Sequence, residues 1–339
     1  MNKRYGIVMV GCGYMGAAHM DEIYYRDNIE IRGVVDTDSR KAQEFMRRYG
    51  ALSWSSSYEE YLHDPLTDII IIATYPASHL KILSDCLAHD KNVLCEKPIT
   101  NDRLEDAAEF VRQVKKAKAK VLIGHILRHN STYQKVADMI HEGLIGKPVI
   151  IRMVQNKHIK EWKRHFELIK NTSPIVDCGV HYIDIMQWFT ESKIKNISGI
   201  SARTEEHIPE GKYNYGIFNA ELGDGSVAHY ETGWGTTIAN EDVKEFIGPK
   251  GRIKIIYRKD RQSHQEEGDL IEYYNFSENR YSIINNETQR KATWDQLQYL
   301  MRMIEEGIDA VPTIDEVYEI FKIALLADKA VTAGEKITL

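Results

Sequence analysis

The chain has 339 residues, and its 44 Lys and Arg against 50 Asp and Glu give a formal net charge of −6. This length exceeds one ordinary domain and predicts two, each large enough to bury its own core. The negative charge argues against a nucleic-acid partner and favours a small-molecule ligand. The sequence has no apolar run long enough to span a bilayer, so we expect a cytoplasmic protein without a membrane partner.

The first part of the chain, up to about Gly124, alternates short β-branched runs with helical patterns. Such alternation is typical of βαβ units around a parallel sheet. The predicted strands cover residues 5–10, 31–35, 68–73, 92–95 and 121–123. The predicted helices cover residues 17–26, 39–49, 78–89 and 101–118, and Ser39 and Asn101 are candidate N-caps.

The pattern changes after Gly124, where a helix over 132–144 leads into extended sequence. Strands are predicted over 149–155, 197–202, 216–222, 226–232, 243–247 and 251–257. Their connections resemble hairpins, which indicates a largely antiparallel sheet. Further helices are predicted over 177–189, 295–306 and 315–333. We therefore expect an α/β domain at 1–124 and an α+β domain at 125–339.

The first predicted strand runs directly into Gly11-Cys12-Gly13-Tyr14-Met15-Gly16, a complete G-x-G-x-x-G that opens a helix. In this motif the first glycine permits the tight turn, the second lets a diphosphate approach the backbone, and the third lets the helix pack on the strand. The sequence thus predicts a Rossmann domain that binds a dinucleotide at Gly11, Gly13, Tyr14, Met15 and Gly16.

Asp36 ends the second predicted strand about twenty residues after the glycines, where a ribose 2′-hydroxyl needs an acceptor. Its carboxylate would repel a 2′-phosphate, which favours NAD. Arg40 and Lys41 nearby would attract that phosphate, so NADP stays an alternative. We include Asp36 and Arg40 among the cofactor-binding residues.

Three further segments carry a family resemblance: Ala73-Thr74-Tyr75-Pro76 with His79, Cys95-Glu96-Lys97-Pro98, and the run from Asp177 to Asp184 that contains His181. Together they resemble the glucose–fructose oxidoreductase and inositol dehydrogenase family, Gfo/Idh/MocA. The resemblance implies a Rossmann domain followed by a domain with an open, mostly antiparallel sheet, and an active site between the two. It also implies homodimers or homotetramers made through the C-terminal sheet. Thr74, His79 and Glu96 are added to the predicted cofactor site.

The resemblance assigns Lys97 a place near the nicotinamide and the reacting hydroxyl. A lysine ammonium there would stabilise a developing alkoxide or relay its proton, and Glu96 would hold the lysine in place. Asp177, His181 and Asp184 have the spacing i, i+4 and i+7, so on a helix they share one face. His181 suits the role of base, since its ordinary pKa lies near neutrality. The resemblance places Asp177 in the substrate pocket, and we interpret Asp184 as structural.

Other polar groups near these motifs are less specific. We interpret Arg128 and His129 as a cap or ion pair outside the core site, with substrate contact as the alternative. The basic segment from Lys157 to His165 is interpreted as a solvated loop, with an anionic substrate as the alternative. The family's usual glycine run before the Asp177 helix is replaced by Asn171-Thr172-Ser173-Pro174-Ile175, which predicts a different pocket wall. Cys12, Cys86, Cys95 and Cys178 lack CxxC spacing, so we expect buried thiols and no metal site.

The resulting hypothesis is an NAD(P)-dependent dehydrogenase that oxidises a secondary hydroxyl of a sugar, sugar derivative or inositol-like cyclitol. Lys97, Asp177 and His181 form its catalytic set. An NAD-dependent glycosidase that uses transient oxidation is the alternative with the same site. A non-catalytic NAD-sensing protein is the alternative of another class, since it would need the glycines without the catalytic set.

Overall fold

A computed structural model describes residues 3–257, 268–286 and 291–339. Within these residues the chain divides into two compact units. The first comprises Met1–Ile126 and Lys291–Tyr318, and the second comprises Leu127–Arg290 and Glu319–Leu339. The change of unit near residue 126 is close to the predicted boundary at 124. The segment Lys291–Tyr318, which we expected in the second domain, belongs to the first unit instead.

The first unit contains a parallel sheet in the order β3-β2-β1-β4-β5-β6, as the βαβ pattern predicts. Its central strands are apolar and fully buried, because helices cover both faces of a doubly wound sheet. Its strands are β1 Tyr5–Val10, β2 Ile29–Val35, β3 Trp54–Ser55, β4 Ile69–Ile72, β5 Asn92–Cys95 and β6 Val121–Ile123. Its helices before β6 are α1 Tyr14–Ile23, α2 Ser39–Tyr49, α3 Glu59–Leu62, α4 His79–Ala88 and α5 Leu104–Lys116.

Helix α9, Thr293–Glu306, explains why Lys291–Tyr318 belongs to the first unit. Trp294, Leu297 and Leu300 lie in the same buried cluster as the apolar residues of β1 and β2. Burial of such side chains contributes about 1.5–3 kcal/mol each. The apolar spacing of α9 predicts a buried face, but that spacing does not identify which sheet the helix will cover.

The second unit contains a sheet in the order β14-β13-β12-β11-β7-β10-β9-β8-β15, and its pairs are antiparallel except β7 with β10. The predicted mostly antiparallel sheet is therefore confirmed. Its first strands are β7 Ile150–His158, β8 Ile194–Ala202, β9 Tyr215–Leu222, β10 Val227–Gly235 and β11 Glu241–Gly248. The remainder are β12 Gly251–Ile256, β13 Asp269–Asn275, β14 Arg280–Asn286 and β15 Ile337–Thr338, and the sequence prediction missed the last three.

Helices α6 Ser131–His141, α7 Lys163–Asn171 and α8 Pro174–Thr190 belong to the second unit, and α10 Ile314–Ala333 continues into it from the first. The expectation of a loop over Lys157–His165 is wrong, because β7 extends to His158 and α7 begins at Lys163. The side chains of Lys163 and Arg164 lie outside the described part of the chain. Ile169 of α7 is fully buried, which gives this helix an apolar anchor.

Candidate active site

The glycine turn after β1 has the backbone geometry that a diphosphate requires. Gly11 has φ +105°, and a Cβ there would lie 2.5 Å from the carbonyl oxygen of Ala73. A Cβ on Gly16 would lie 2.0 Å from the carbonyl oxygen of Gly11, whereas a Cβ on Gly13 would meet no atom within 4 Å. Gly11 and Gly16 therefore let the turn and α1 approach closely, whereas Gly13, the N-cap of α1, leaves open space where a Cβ would be.

Asp36 follows β2, and both of its carboxylate oxygens point towards backbone N–H groups. Cys12 N donates to Oδ2 at 3.0 Å and Asp38 N donates to Oδ1 at 2.9 Å. These bonds fix the carboxylate beside the glycine turn. Each oxygen keeps a further lone pair, so the group can still accept a hydrogen bond from a ribose hydroxyl.

Arg40, Thr74 and His79 differ in how accessible they are. The Arg40 side chain is 87% exposed, with Nε 3.6 Å from Asp38 Oδ1. Thr74 Oγ1 shares a 2.7 Å hydrogen bond with Ser78 Oγ on the loop after β4. His79 is fully buried, and its ring nitrogens lie 3.0 Å from the Pro98 carbonyl oxygen and 3.1 Å from that of Thr74.

Burial lowers the pKa of His79, which favours the neutral ring with a single N–H. Such a ring donates to one of the two carbonyl groups at a time. The buried imidazole therefore connects the loop after β4, which contains Thr74, with the loop after β5, which contains Pro98. A direct contact between His79 and the cofactor stays a prediction.

Glu96 and Lys97 directly follow β5, at the carboxyl edge of the parallel sheet where ligands bind in this architecture. Glu96 is 6% exposed and its Oε1 lies 2.7 Å from His19 Nε2. Burial raises the pKa of Glu96, but the hydrogen bond with His19 and the positive charges of Lys97 and Lys291 outweigh it, so the pKa lies below its ordinary value. A buried carboxylate thus precedes the half-buried Lys97.

His19 is a residue of this site that sequence reasoning missed. It is 1% exposed and lies on α1, one turn after Gly16. Gly16, His19, Met20 and Ile23 form the buried face of that helix. A histidine at an apolar position of the dinucleotide-binding helix is the signal that could have identified it. Through Glu96, His19 joins the helix that follows the glycine turn to the residue next to Lys97.

Helix α8 carries the other predicted catalytic residues, and it begins three residues earlier than predicted, at Pro174. Ser173 Oγ accepts a 3.0 Å hydrogen bond from Val176 N, and Pro174 occupies the first turn. The segment Asn171–Ile175, which we interpreted as a changed pocket wall, is therefore the end of α7 and the N-terminal cap of α8.

Asp177 and His181 lie on one face of α8 and are half-buried, whereas most of the helix is buried. Tyr182 packs on the sheet with its ring 4.7 Å from that of Tyr230 on β10. This apolar side of α8, which also includes Ile185, Met186 and Phe189, is buried. It fixes the rotation of the helix and leaves Asp177 and His181 as partly accessible polar groups.

Arg128 and Asp184 form a buried ion pair at the end of the same face. The guanidinium donates to both carboxylate oxygens, at 2.7 and 3.0 Å, and the two side chains are 10% and 2% exposed. The Arg128 guanidinium also lies 4.5 Å from the centre of the Trp188 ring. The structural interpretation of Arg128 and Asp184 agrees with this arrangement.

Cys12, Cys86, Cys95 and Cys178 are all buried, as predicted, and carry thiols rather than disulfides. Burial, helped by the nearby Asp36 carboxylate, raises the pKa of the Cys12 thiol to about 12. Among residues 3–257, 268–286 and 291–339, His, Cys, Asp and Glu side chains form no cluster suited to a metal ion. No helix in the same ranges has the length and apolar character needed to cross a membrane.

The chain matches two family models over more than half of its length. Residues 5–125 match the GFO_IDH_MocA model, described as an oxidoreductase family with an NAD-binding Rossmann fold. Residues 133–254 match the GFO/IDH/MocA C-terminal domain. The open turn at Gly13, the α1 N-terminus and the Asp36 carboxylate fit NAD, and NAD is the cofactor of this domain.

Curated relatives include the inositol 2-dehydrogenase of Rubrobacter xylanophilus, which is 24% identical over 75% of this chain and 72% of its own length. The inositol 2-dehydrogenase/D-chiro-inositol 3-dehydrogenase of Lactiplantibacillus plantarum is 25% identical over 73% of this chain and 70% of its own length.

Among solved structures, myo-inositol 2-dehydrogenase from Lactobacillus plantarum superposes with a TM-score of 0.83 at 18% identity, covering 99% of this chain and 100% of its own. Scyllo-inositol dehydrogenase from Lactobacillus casei, solved with NAD(H) and scyllo-inositol, gives a TM-score of 0.81 at 19% identity and covers 99% of both chains. These likenesses show a shared fold. With both domains matched in order along the sequence, this chain belongs to the Gfo/Idh/MocA family of NAD-binding oxidoreductases.

Proposed function

We propose that this chain is an NAD-dependent dehydrogenase that oxidises a secondary hydroxyl of a cyclitol, or of a related sugar, by hydride transfer. The observation that carries the proposal is the polar face of α8, where Asp177 and His181 stay partly accessible on an otherwise buried helix. A helix that only had to cover a sheet would not need a carboxylate and an imidazole at these positions. The relatives named as inositol 2-dehydrogenases support the cyclitol class.

Lys97, Asp177 and His181 each have a separate role at the substrate hydroxyl. Hydride loss from carbon makes the hydroxyl more acidic, and its proton passes to the His181 imidazole. The Lys97 ammonium stabilises the negative charge that develops on the oxygen. Asp177 accepts hydrogen bonds from ring hydroxyls and orients the imidazole. When bound, NAD supplies the hydride acceptor.

We further propose a preference for NAD over NADP, because Asp36 is held beside the glycine turn by two backbone N–H groups. A carboxylate fixed in this way accepts from a ribose 2′-hydroxyl and repels a 2′-phosphate. Arg40 is exposed and lies nearest to Asp38, so it offers little compensation for that repulsion.

The test is to incubate purified protein with NAD or NADP and a panel of inositols, aldoses, amino sugars and uronic acids, while following the absorbance of reduced nicotinamide. We expect a signal with an inositol and a larger kcat/KM with NAD. Lys97→Ala should lower kcat by about 10²–10⁴-fold, since it removes the charge that stabilises the alkoxide. Lys97→Arg keeps a positive charge, and Lys116→Ala on α5 serves as the matched surface control.

Three outcomes would overturn the proposal. Full activity of Lys97→Ala would remove lysine from the mechanism. Release of free sugar from a glycoside without accumulation of reduced nicotinamide would indicate the glycosidase cycle instead. A protein that binds NAD and turns over nothing in either assay would indicate an NAD-sensing role.

A further inference from the structure

Lys291 lies against the phosphate-binding turn, although it follows the glycines by about 275 residues of sequence. Its Nζ is 4.2 Å from the centre of the Tyr14 ring and 3.1 Å from Met15 Sδ. Tyr14 and Met15 stand between the second and third glycines of the G-x-G-x-x-G motif and are the first two residues of α1. A full positive charge is therefore placed at the start of the dinucleotide-binding helix.

The position of Lys291 is fixed by α9, which begins two residues later. Thr293 Oγ1 donates a 3.2 Å hydrogen bond to the Ala18 carbonyl oxygen of α1. Gln296 Nε2 donates a 3.0 Å hydrogen bond to the Ile123 carbonyl oxygen at the end of β6. Together with the buried Trp294, these contacts attach the start of α9 to the first unit. Lys291 reaches the glycine turn because the chain returns to this unit.

The ammonium complements what the turn itself provides. Backbone N–H groups and the α1 macrodipole contribute only partial positive charge, equivalent to about half an elementary charge at the helix N-terminus. The first turn of α1 has no acidic side chain. The diphosphate of NAD carries two negative charges, so one lysine at this turn adds the charge-assisted contact that the motif lacks.

We propose that Lys291 is a cofactor-binding residue that contacts the diphosphate of NAD. This inference rests on NAD binding by the first unit, as does the proposed function, but it does not depend on which substrate is oxidised. The Tyr14 ring, which is 51% exposed, holds the ammonium in place through its face. Lys291 thereby makes the glycine turn and the α9 segment parts of one cofactor site.

The experiment is to measure the affinity of the protein for two NAD fragments by titration calorimetry. ADP-ribose contains the diphosphate, whereas adenosine lacks it. For Lys291→Gln we expect the Kd for ADP-ribose to rise at least about tenfold, as expected for loss of a charged hydrogen bond, while the Kd for adenosine stays within about twofold. Lys291→Arg should retain most of the ADP-ribose affinity.

Lys3→Gln is the matched control. Lys3 also lies over a tyrosine ring, at 4.5 Å from the centre of Tyr5, but it precedes β1 at the opposite edge of the sheet from the glycines. The Lys3→Gln substitution should leave the affinities for ADP-ribose and for adenosine unchanged. Thermal melting of each variant separates lost binding from lost folding.

An unchanged ADP-ribose affinity in folded Lys291→Gln would overturn the inference. An equal loss for adenosine would also overturn it, because the lysine would then act through the shape of the site rather than through the diphosphate. Wild-type protein that binds ADP-ribose through Lys291 but oxidises no cyclitol would contradict only the proposed function.

Discussion

At the scale of single residues, the hydrogen bond between His19 and Glu96 connects α1 to the residue that precedes Lys97. Both side chains are buried, and their polar atoms approach to 2.7 Å. A Cβ on Gly124 would lie 2.9 Å from Glu96 Oε2, so the chain after β6 also packs directly on this carboxylate. Because an ionised group buried in this way is costly without a partner, His19 is needed to keep Glu96 charged.

The pH dependence of stability follows from the lowered pKa of Glu96. A carboxyl group whose pKa is lower in the folded state stabilises the protein above its ordinary value of 4.5, and that contribution is lost as pH falls through the folded-state pKa. We expect the free energy of unfolding of the wild type to fall more steeply below pH 4.5 than that of Glu96→Gln. Urea titrations at a series of pH values measure this difference.

The exposed carboxylate of Glu44 on α2 offers the control for that series. Glu44→Gln should follow the wild-type curve. If Glu96→Gln and the wild type lose stability in parallel below pH 4.5, Glu96 does not ionise at a lowered pKa.

At the scale of secondary-structure elements, the rotation of α8 decides whether Asp177 and His181 are presented on one accessible face. Its cap at Ser173 and its packing on β10 set one end and one side of the helix. The Arg128–Asp184 ion pair anchors the same face of α8 that carries Asp177 and His181. Removing one partner of a buried pair leaves the other charge uncompensated, whereas replacing both removes that penalty.

We therefore expect Arg128→Met or Asp184→Leu alone to lower the free energy of unfolding by about 3–5 kcal/mol, and the double variant to lose less than the sum. Denaturant unfolding of the four proteins gives the coupling energy. The exposed Arg302–Glu306 pair on α9 is the comparison, and its coupling should be much smaller because water screens both charges. Additive losses at Arg128 and Asp184 would show that the pair does not act as a unit.

Some element-level predictions failed for identifiable reasons. Ser39 and Asn101 were predicted as N-caps, but Asp38 caps α2 by accepting from Arg40 N, and α5 begins after Arg103. Ser39 and Asn101 each lie in a polar stretch with several candidate caps, so residue type alone does not select one. Strand β13 was missed although Asp269, Ile271 and Tyr273 alternate on its buried face, and β14 has no buried residue.

At the scale of the whole molecule, the open sheet of the second unit exposes apolar side chains. Ile150 and Val227 are adjacent across β7 and β10 and are 48% and 43% exposed, and Ile200 on β8 is 65% exposed. Ile150 and Val227 line a groove of about 290 Å³ on this sheet. Exposed apolar patches on sheets are typical of protein interfaces, and the family resemblance implies oligomers through this face.

We expect the wild type to be a homodimer or homotetramer and Ile150→Lys/Val227→Lys to shift it towards monomer, because the buried lysine charges would have to be desolvated. Sedimentation velocity measures the mass. Leu66→Lys, at an apolar residue of the first unit that is 59% exposed, is the control and should leave the mass unchanged. A monomeric wild type, or a double variant of unchanged mass, would contradict the prediction.

The sequence by itself determined the order of the two domains, the dinucleotide turn and the helical face that carries Asp177 and His181. These features are local, because they depend on the strand and helix periods and on glycines whose backbone positions exclude a Cβ. The pairing of His19 with Glu96, the return of α9 to the first unit and the approach of Lys291 to Tyr14 were decided only by the tertiary structure. Each of these features joins residues that are far apart in sequence. An apolar stripe predicts that its side chains will be buried, and a charge predicts that it will be paired, but neither identifies the partner.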